Sequence, residues 1–168
     1  VTEEAVTMIR ALLPATVDLR IEIDPECSPV NCVPEQINQL LVNLCNNAFQ
    51  ALSDASGHIT VSLREEDVSD ELARRHPNLA AGPHVVLEVT DTGTGMDAET
   101  QERIFEPFFT TQEVGKGTGL GLSVVHGIVK RHDGEIVVES EPGKGTRFGI
   151  YLPPVGQVER SRQGIARV

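Results

Sequence analysis

Hydrophobic and polar residues alternate along several short stretches of the chain. The clearest is residues 17–24, where Val17, Leu19, Ile21 and Ile23 alternate with charged residues. This alternation places the apolar side chains on one side of an extended chain and predicts a half-buried β-strand. Four further strands are predicted, over residues 58–64, 85–90, 135–140 and 146–152.

Other segments have apolar residues at helical spacing. The longest predicted helix starts near Pro34, and its apolar positions from Ile37 to Leu52 recur along one face. Three shorter helices are predicted, over residues 3–13, 97–104 and 120–131. Asp97 is expected to cap the second of these, and Gly134 to end the third as the residue after its C-cap.

Two segments fit neither pattern. Residues 65–83 are charged and contain Pro77, Gly82 and Pro83, which predicts an excursion from the sheet with one helical turn. Residues 105–118 contain glycine, proline and polar residues without a sustained period. They are predicted to form a long loop, and loops of this length in compact domains are usually functional.

Together the predicted elements indicate an α+β fold, a two-layer α/β sandwich. We expect a mixed, mostly antiparallel sheet of about five strands with about three helices on one face. The other face of the sheet is expected to carry the polar half of each alternation.

The chain is acidic and aliphatic. Its 168 residues include 14 Lys and Arg against 25 Asp and Glu, a formal net charge of −11, and no Trp. A protein that follows nucleic-acid phosphates is expected to be basic, so the charge argues against a nucleic-acid partner. The 3 cysteines lack metal-site spacing, which predicts reduced thiols in a cytoplasmic domain. No apolar run approaches the roughly 20 residues of a membrane span.

Amide side chains form a stripe on the long predicted helix. Asn43 and Asn47 are four residues apart and Gln50 follows three residues later, so the side chains share one face. Asparagine competes with the helix backbone for hydrogen bonds, so several in mid-helix have a cost. Amide oxygens suit Mg²⁺, which also keeps water and phosphate oxygens. For an asparagine pair taken alone, a solvated helix face remains the alternative.

A second pattern, Asp-Thr-Gly-Thr-Gly-Met at residues 91–96, directly follows a predicted strand. The carboxylate of Asp91 would accept a hydrogen bond from a donor such as the exocyclic amine of adenine. Gly93 and Gly95 would let the backbone approach a flat ring. The alternative is an ordinary loop in which Asp91 accepts from nearby amides.

Three patterns lie further along the chain. Phe105, Phe108 and Phe109 form a cluster that is expected to anchor a loop by burial. Residues 115–123 place four glycines at alternate positions before a helix, whose first amides suit a phosphate. The turn before Thr146 would place that residue near a base or a water, although an ordinary hairpin turn accounts for it equally well.

In their order and spacing these patterns resemble the N, G1, F and G2 boxes of the catalytic and ATP-binding domain of sensor histidine kinases. The stretches NNAFQAL and FFTTQEVGKGTGLGLSVVHGIVKRHDG are most similar to the nitrogen-regulator-like and hybrid sensor kinases. The resemblance covers residues 15–153, with 1–14 expected to end an upstream linker or helix and 154–168 to form a linker tail. It implies a Bergerat-type fold that binds ATP between the N-box helix and a lid at residues 105–118.

The resemblance also implies roles for individual residues. Asn47 would ligate Mg²⁺ with Asn43 supporting it near the phosphates, and Asp91 would bind the adenine amine. Lys116 would supply a cation to the γ-phosphate, and Thr146 would lie near adenine through a water. The other implied ATP-binding residues are Gln50, Gly93, Gly95, Met96, Gly115, Gly117, Thr118, Gly119, Leu120 and Gly121.

The sequence departs from the family pattern where positive charge is common. Related kinases often have lysine directly after the Phe-Thr-Thr run, where this chain has Gln112, and many have lysine at the position of Gln50. These changes keep open a second hypothesis, a degenerate nucleotide-sensing or docking module without kinase activity.

Two other enzyme classes with this fold fit less well. DNA gyrase B and its relatives hydrolyse ATP with a glutamate four residues before the metal-binding asparagine. Asn43 occupies that position here and cannot act as a general base. A serine kinase of the anti-sigma type is disfavoured by the long Phe-Thr-Thr lid. The resemblance therefore favours phosphoryl transfer to another group.

The phosphoacceptor histidine is expected to lie outside this chain. None of the 5 histidines stands in the acidic and proline context typical of sensor kinases, and His126 and His132 are predicted to be helix-face residues. The implied partners are a dimerisation and phosphoacceptor domain of the same parent, upstream of Val1, and a response-regulator receiver domain. This chain is expected to be a monomer, the parent a homodimer, and the location the bacterial cytosol.

Overall fold

The computed structural model describes residues 3–52, 56–111 and 118–156, and these residues build one mixed sheet. The five strands are β1 Val17–Ile23, β2 Gly57–Val68, β3 Gly82–Asp91, β4 Glu135–Glu141 and β5 Gly145–Leu152. They lie in the order β1-β2-β3-β5-β4 in the sheet. The first two are parallel and the other neighbours are antiparallel. This arrangement confirms the predicted mixed sheet.

The helices begin where the sequence provides start signals. Pro34 stands in the first turn of the long helix, where its missing N–H leaves no hydrogen bond unmade. Ser69 and Asp97 accept hydrogen bonds from backbone amides of the helices that follow them. Within the described ranges, none of the helices combines the length and apolar character that crossing a membrane requires. The helices are α1 Glu3–Leu12, α2 Pro34–Ala51, α3 Asp70–Arg75, α4 Ala98–Arg103 and α5 Gly121–Arg131.

The main core lies between one face of the sheet and α1, α2 and α5. It is aliphatic, as the composition predicts, and Leu40, Leu41 and Leu44 of α2 are fully buried in it. Cys45 lies among them, and burial raises the pKa of its thiol to about 12. The thiol therefore stays protonated and acts as a small core residue.

The opposite face of the sheet is polar in part only. Glu88 accepts hydrogen bonds from Arg64 and Arg147, which is the polar surface that the alternation predicts. At one end of this face, however, buried apolar residues form a second cluster that α3 covers. The prediction of a wholly polar face is therefore wrong at this end. The cluster contains Val68, Leu79, Val86, Val137 and Tyr151, with Leu72 and Ala73 of α3 packed against it.

The predicted excursion over residues 65–83 is wrong at both ends. Strand β2 continues to Val68, and β3 begins at Gly82, directly opposite it in the antiparallel ladder. Only the segment between these residues leaves the sheet, and it contains the expected helical turn as α3. The charged residues at the end of β2 suggest a loop, but pairing with β3 provides the backbone hydrogen bonds of this segment whatever its side chains are.

Gly134 does not have the role predicted for it. The left-handed backbone conformation after α5 falls on Asp133, with φ of 54°, one of the residue types that tolerate it. Gly134 is required for a different reason, since a Cβ atom there would lie 2.8 Å from the carbonyl oxygen of Tyr151.

The hairpin between β4 and β5 gives a stability prediction. Gly143 and Gly145 both have positive φ, but a Cβ on Gly143 meets open space, whereas one on Gly145 overlaps the carbonyl oxygen of Asp91. We expect Gly143→Ala to lower the free energy of unfolding by about 1 kcal/mol, the cost of the backbone conformation alone. Gly145→Ala should cost about 3 kcal/mol or more. Urea unfolding of both variants measures the difference, and equal losses would contradict the close contact with Asp91.

Candidate functional site

An open cavity of about 360 Å³ lies between α2, the loop after β3, the start of α5 and strand β5. It brings together residues that are far apart in the sequence and that belong to all the sequence patterns described above. The predicted site residues that line it are Asn43, Asn47, Gln50, Asp91, Gly95, Met96, Thr118, Gly119, Gly121 and Thr146.

One end of the cavity is formed by amide side chains of α2 facing the start of α5. A Cβ atom on Gly121 would lie 3.9 Å from Oδ1 of Asn43 and from both amide atoms of Asn47. The side-chain nitrogen Nδ2 of Asn47 is buried and has no hydrogen-bond partner within the described part of the chain. A buried donor without a partner is costly, so this nitrogen indicates a place for a ligand acceptor.

The N-terminal end of α5 adds backbone donors to the same end of the cavity. Leu120 is the N-cap residue, and its apolar side chain makes no capping hydrogen bond to the first amides of the helix. Amides in this position carry partial positive charge and favour an anion. Among the described lining residues there is no lysine, arginine or histidine. The described lining residues would therefore bind an anion through uncharged N–H donors.

A carboxylate lies in the part of the cavity where β3 pairs with β5. Asp91 ends β3, is only 4% exposed, and accepts a hydrogen bond of 2.8 Å from the backbone N–H of Gly93. Burial raises the pKa of this carboxyl, while hydrogen bonds from the backbone N–H groups of Gly93 and Thr146 act in the opposite direction. No other carboxylate lines the described cavity. Asp91 therefore provides a fixed acceptor where β3 pairs with β5, whereas Asn43 and Asn47 of α2 face the start of α5.

Two of the predicted site residues do not line the cavity. Gly93 is packed against the backbone carbonyl of Ala51 at the end of α2, where a Cβ would have no room. Leu120 is 38% exposed on the surface next to the cavity. Gly115, Lys116 and Gly117, together with Gln112, lie outside the described residues.

The phenylalanine cluster anchors its loop through two of its three members. Phe105 and Phe109 pack against the main core, and the guanidinium of Arg103 lies 4.4 Å from the centre of the Phe109 ring. Phe108 is 74% exposed and has φ of 69°. Its backbone N–H instead donates to the carbonyl oxygen of Gly119. The expected burial of Phe108 is therefore wrong.

His126 in α5 and His132 directly after it have structural contacts. His126 stacks at a tilt on Phe105, with ring centres 5.3 Å apart. His132 follows α5, and its Nε2 accepts a hydrogen bond of 3.1 Å from the backbone N–H of Val33, which precedes α2. Its other ring nitrogen, Nδ1, lies 2.8 Å from the carbonyl oxygen of Ile128. His132 thus joins the ends of two helices.

Sequence reasoning missed several polar residues in and beside the cavity, and two of them hold a loop in place. Gln101 of α4 and Ser140 of β4 make hydrogen bonds to the backbone of Met96. A single glutamine in a short helix and a single serine near a strand end give no signal in one sequence. Only the folded structure places them on either side of the same loop residue.

The fold and this cavity agree with what comparison with known proteins shows. Residues 32–156 match the family described as histidine kinase-, DNA gyrase B-, and HSP90-like ATPase. The chain belongs to this family.

Named relatives point in the same direction. The chain is 43% identical to the sensor kinase CckA of Brucella abortus (strain 2308) over 154 residues, which cover 92% of this chain and 16% of that protein. It is 36% identical to sporulation kinase E of Bacillus subtilis (strain 168) over 148 residues, covering 88% of this chain and 18% of that protein. The chain thus spans less than a fifth of the length of these two relatives.

Solved structures share the architecture. The catalytic domain of histidine kinase ThkA superposes with a TM-score of 0.67 at 29% identity, covering 90% of this chain and 92% of that one. The mycobacterial sensor histidine kinase MprB gives a TM-score of 0.68 at 22% identity, covering 90% of this chain and 91% of that one. These likenesses confirm the predicted Bergerat-type fold.

Proposed function

We propose that this chain binds ATP in the cavity and donates its γ-phosphate to a histidine on a separate dimerisation and phosphoacceptor domain in two-component signalling. The observation that carries the proposal is the chemical difference between two groups of residues that line the cavity. The buried carboxylate of Asp91 stands beside Thr146, and the side-chain nitrogen of Asn47, without a partner among the described residues, faces the N-terminus of α5.

This difference orients the nucleotide. Asp91 accepts a hydrogen bond from the exocyclic amine of adenine, and Thr146 and Met96 line the same end. The phosphates lie toward Asn47 and the first amides of α5, where donors are concentrated. Binding at both ends holds the γ-phosphate in one place, and positioning is a large part of catalysis in phosphoryl transfer.

The amide stripe fits a role in holding Mg²⁺. The described residues contain no cluster of three or more His, Cys, Asp or Glu that could hold a metal ion by itself. A magnesium ion in this cavity would therefore be held by the amide oxygen of Asn47, with Asn43 beside it, together with phosphate oxygens. The bound ion would neutralise charge on the transferring phosphate. Lys116 is proposed as a further cation for the γ-phosphate.

The residues near the phosphate end favour transfer over hydrolysis. Activation of a water molecule needs a general base, and Asn43 and Asn47 have no basic atom. The one described carboxylate of the cavity, Asp91, is committed to the adenine end. The partner domain therefore supplies the acceptor histidine and any base, and the first amides of α5 stabilise the charge that develops on the phosphate.

Two measurements test the proposal. ATP and ADP are titrated into the chain by calorimetry with and without Mg²⁺, and micromolar binding is expected. The chain is then mixed with [γ-³²P]ATP and the purified phosphoacceptor domain of its parent, with a variant lacking the acceptor histidine as the control. We expect acid-labile label on the acceptor domain and very slow phosphate release by the chain alone. Binding without transfer would favour a nucleotide-sensing module, and rapid phosphate release would favour an ATPase.

A further inference from the structure

The loop over residues 91–96, here called the base-side loop, has no regular secondary structure beyond Asp91, yet its backbone is held on two sides. The N–H of Thr94 donates to the carbonyl oxygen of Ala51 at the end of α2, at 2.9 Å. The carbonyl oxygen of Thr94 accepts from the N–H of Gly143 in the hairpin between β4 and β5, at 2.7 Å. These bonds fix the middle of the loop and leave its last residue, Met96, to other partners.

Both backbone groups of Met96 are bound by side chains. Its N–H donates to Oγ of Ser140 at 2.8 Å, and its carbonyl oxygen accepts from Nε2 of Gln101 at 3.0 Å. The same Nε2 atom donates to the carbonyl oxygen of Ser140, also at 3.0 Å. Since both neighbours of this atom are carbonyl oxygens, the Gln101 side chain has to present its –NH₂ group, and its two hydrogens satisfy both acceptors.

Ser140 extends the network to the far wall of the cavity. Its hydroxyl lies 2.8 Å from the hydroxyl of Thr146 and 3.1 Å from the carbonyl oxygen of Gly145. Thr146 in turn gives its backbone N–H to Asp91. One serine therefore connects Met96 to Thr146, and through Thr146 to the buried carboxylate.

We propose that Gln101 and Ser140 are positioning residues that fix Met96 and Thr146 at the adenine end of the cavity. This inference rests on the proposed ATP-binding function. Neither side chain lines the cavity itself. They act by holding the residues that do, as hydrogen-bonded outer residues hold the groups of a functional site.

Substitutions of Gln101 and Ser140 test the proposal directly. Gln101→Glu keeps the size of the side chain but replaces two donors with a carboxylate that faces two carbonyl oxygens. The contact changes from attractive to repulsive, so the loop end should move. Ser140→Ala removes the acceptor for Met96, whereas Ser140→Thr keeps a hydroxyl. Glu102→Ala serves as the control, since Glu102 is exposed on the same helix.

The readout compares a ligand that has a base with one that has none. The dissociation constants of ATP and of inorganic tripolyphosphate are measured by calorimetry in the presence of Mg²⁺. If the heat of tripolyphosphate binding is small, its dissociation constant is measured by competition with ATP. We expect Gln101→Glu and Ser140→Ala each to lower the affinity for ATP by about tenfold. Both variants should bind tripolyphosphate with the same affinity as the wild type. Ser140→Thr should recover most of the ATP affinity, and Glu102→Ala should leave both constants unchanged.

Two results would overturn the inference while leaving the proposed function intact. One is wild-type ATP affinity in both Gln101→Glu and Ser140→Ala. The other is an equal loss for ATP and tripolyphosphate, which would indicate general loosening of the domain. Failure of the wild type to bind ATP would instead refute the proposed function, and the inference with it.

Discussion

Asp91→Asn is expected to reduce the affinity for ATP by about 10- to 100-fold, because a hydrogen bond to a buried charged group contributes about 1.5–3 kcal/mol. The carboxylate already accepts from the N–H groups of Gly93 and Thr146. An asparagine keeps one acceptor oxygen and adds an –NH₂ group, which would face these donors or the amine of adenine. In either orientation two hydrogen-bond donors face each other, so the cavity no longer recognises the adenine amine.

The fold is expected to survive this change. Burial disfavours the charge of Asp91, and removing the charge offsets part of the lost hydrogen bonding. Asp97→Asn is the matched control, because Asp97 accepts a 2.8 Å hydrogen bond from Thr100 as a helix cap, and asparagine caps equally well. Calorimetric titration of ATP and thermal unfolding are measured for both variants. ATP affinity in Asp91→Asn equal to that of the wild type would place adenine elsewhere.

The sequence predicts most of the fold because its hydrophobic periodicity is regular. The alternation over 17–24 predicts β1, and the spacing from Ile37 to Leu52 predicts α2. The site residues on these and other elements were identified by motif order, and the fold then places most of the described ones around one cavity. Their roles toward ATP remain predictions.

The features that the sequence does not reveal depend on tertiary contacts. The end of β2 lacks a hydrophobic pattern, and its pairing with β3 keeps it in the sheet through Val68. Phe108 is exposed, and its backbone N–H bonds to Gly119, a contact between residues 11 apart that the local sequence does not indicate. Gln101 and Ser140 acquire their importance only because α4 and β4 approach the same loop residue. Local pattern gives no information on such contacts.

Asn47→Ala is expected to have opposite effects on binding and on stability. In the domain without ligand, the buried Nδ2 has no described partner, a condition that costs about 1–3 kcal/mol. Alanine removes this atom and is also the better helix former by about 0.5 kcal/mol. The free energy of unfolding should therefore rise by about 1 kcal/mol, since the vacated space opens into the cavity. Affinity for Mg-ATP and transfer to the acceptor domain should fall by about 100-fold or more.

Asn46→Ala separates the two contributions to stability. Asn46 is exposed on the same helix, so its replacement gives the gain in helix propensity without removing a buried polar atom. Urea unfolding of both variants without ligand is compared with labelled phosphate transfer in the presence of Mg-ATP. A larger stability gain in Asn47→Ala than in Asn46→Ala, together with lost transfer, would show that α2 keeps an unfavourable buried donor for the phosphates. Loss of stability in Asn47→Ala would mean instead that its amide supports the domain, and the buried nitrogen would no longer indicate a ligand.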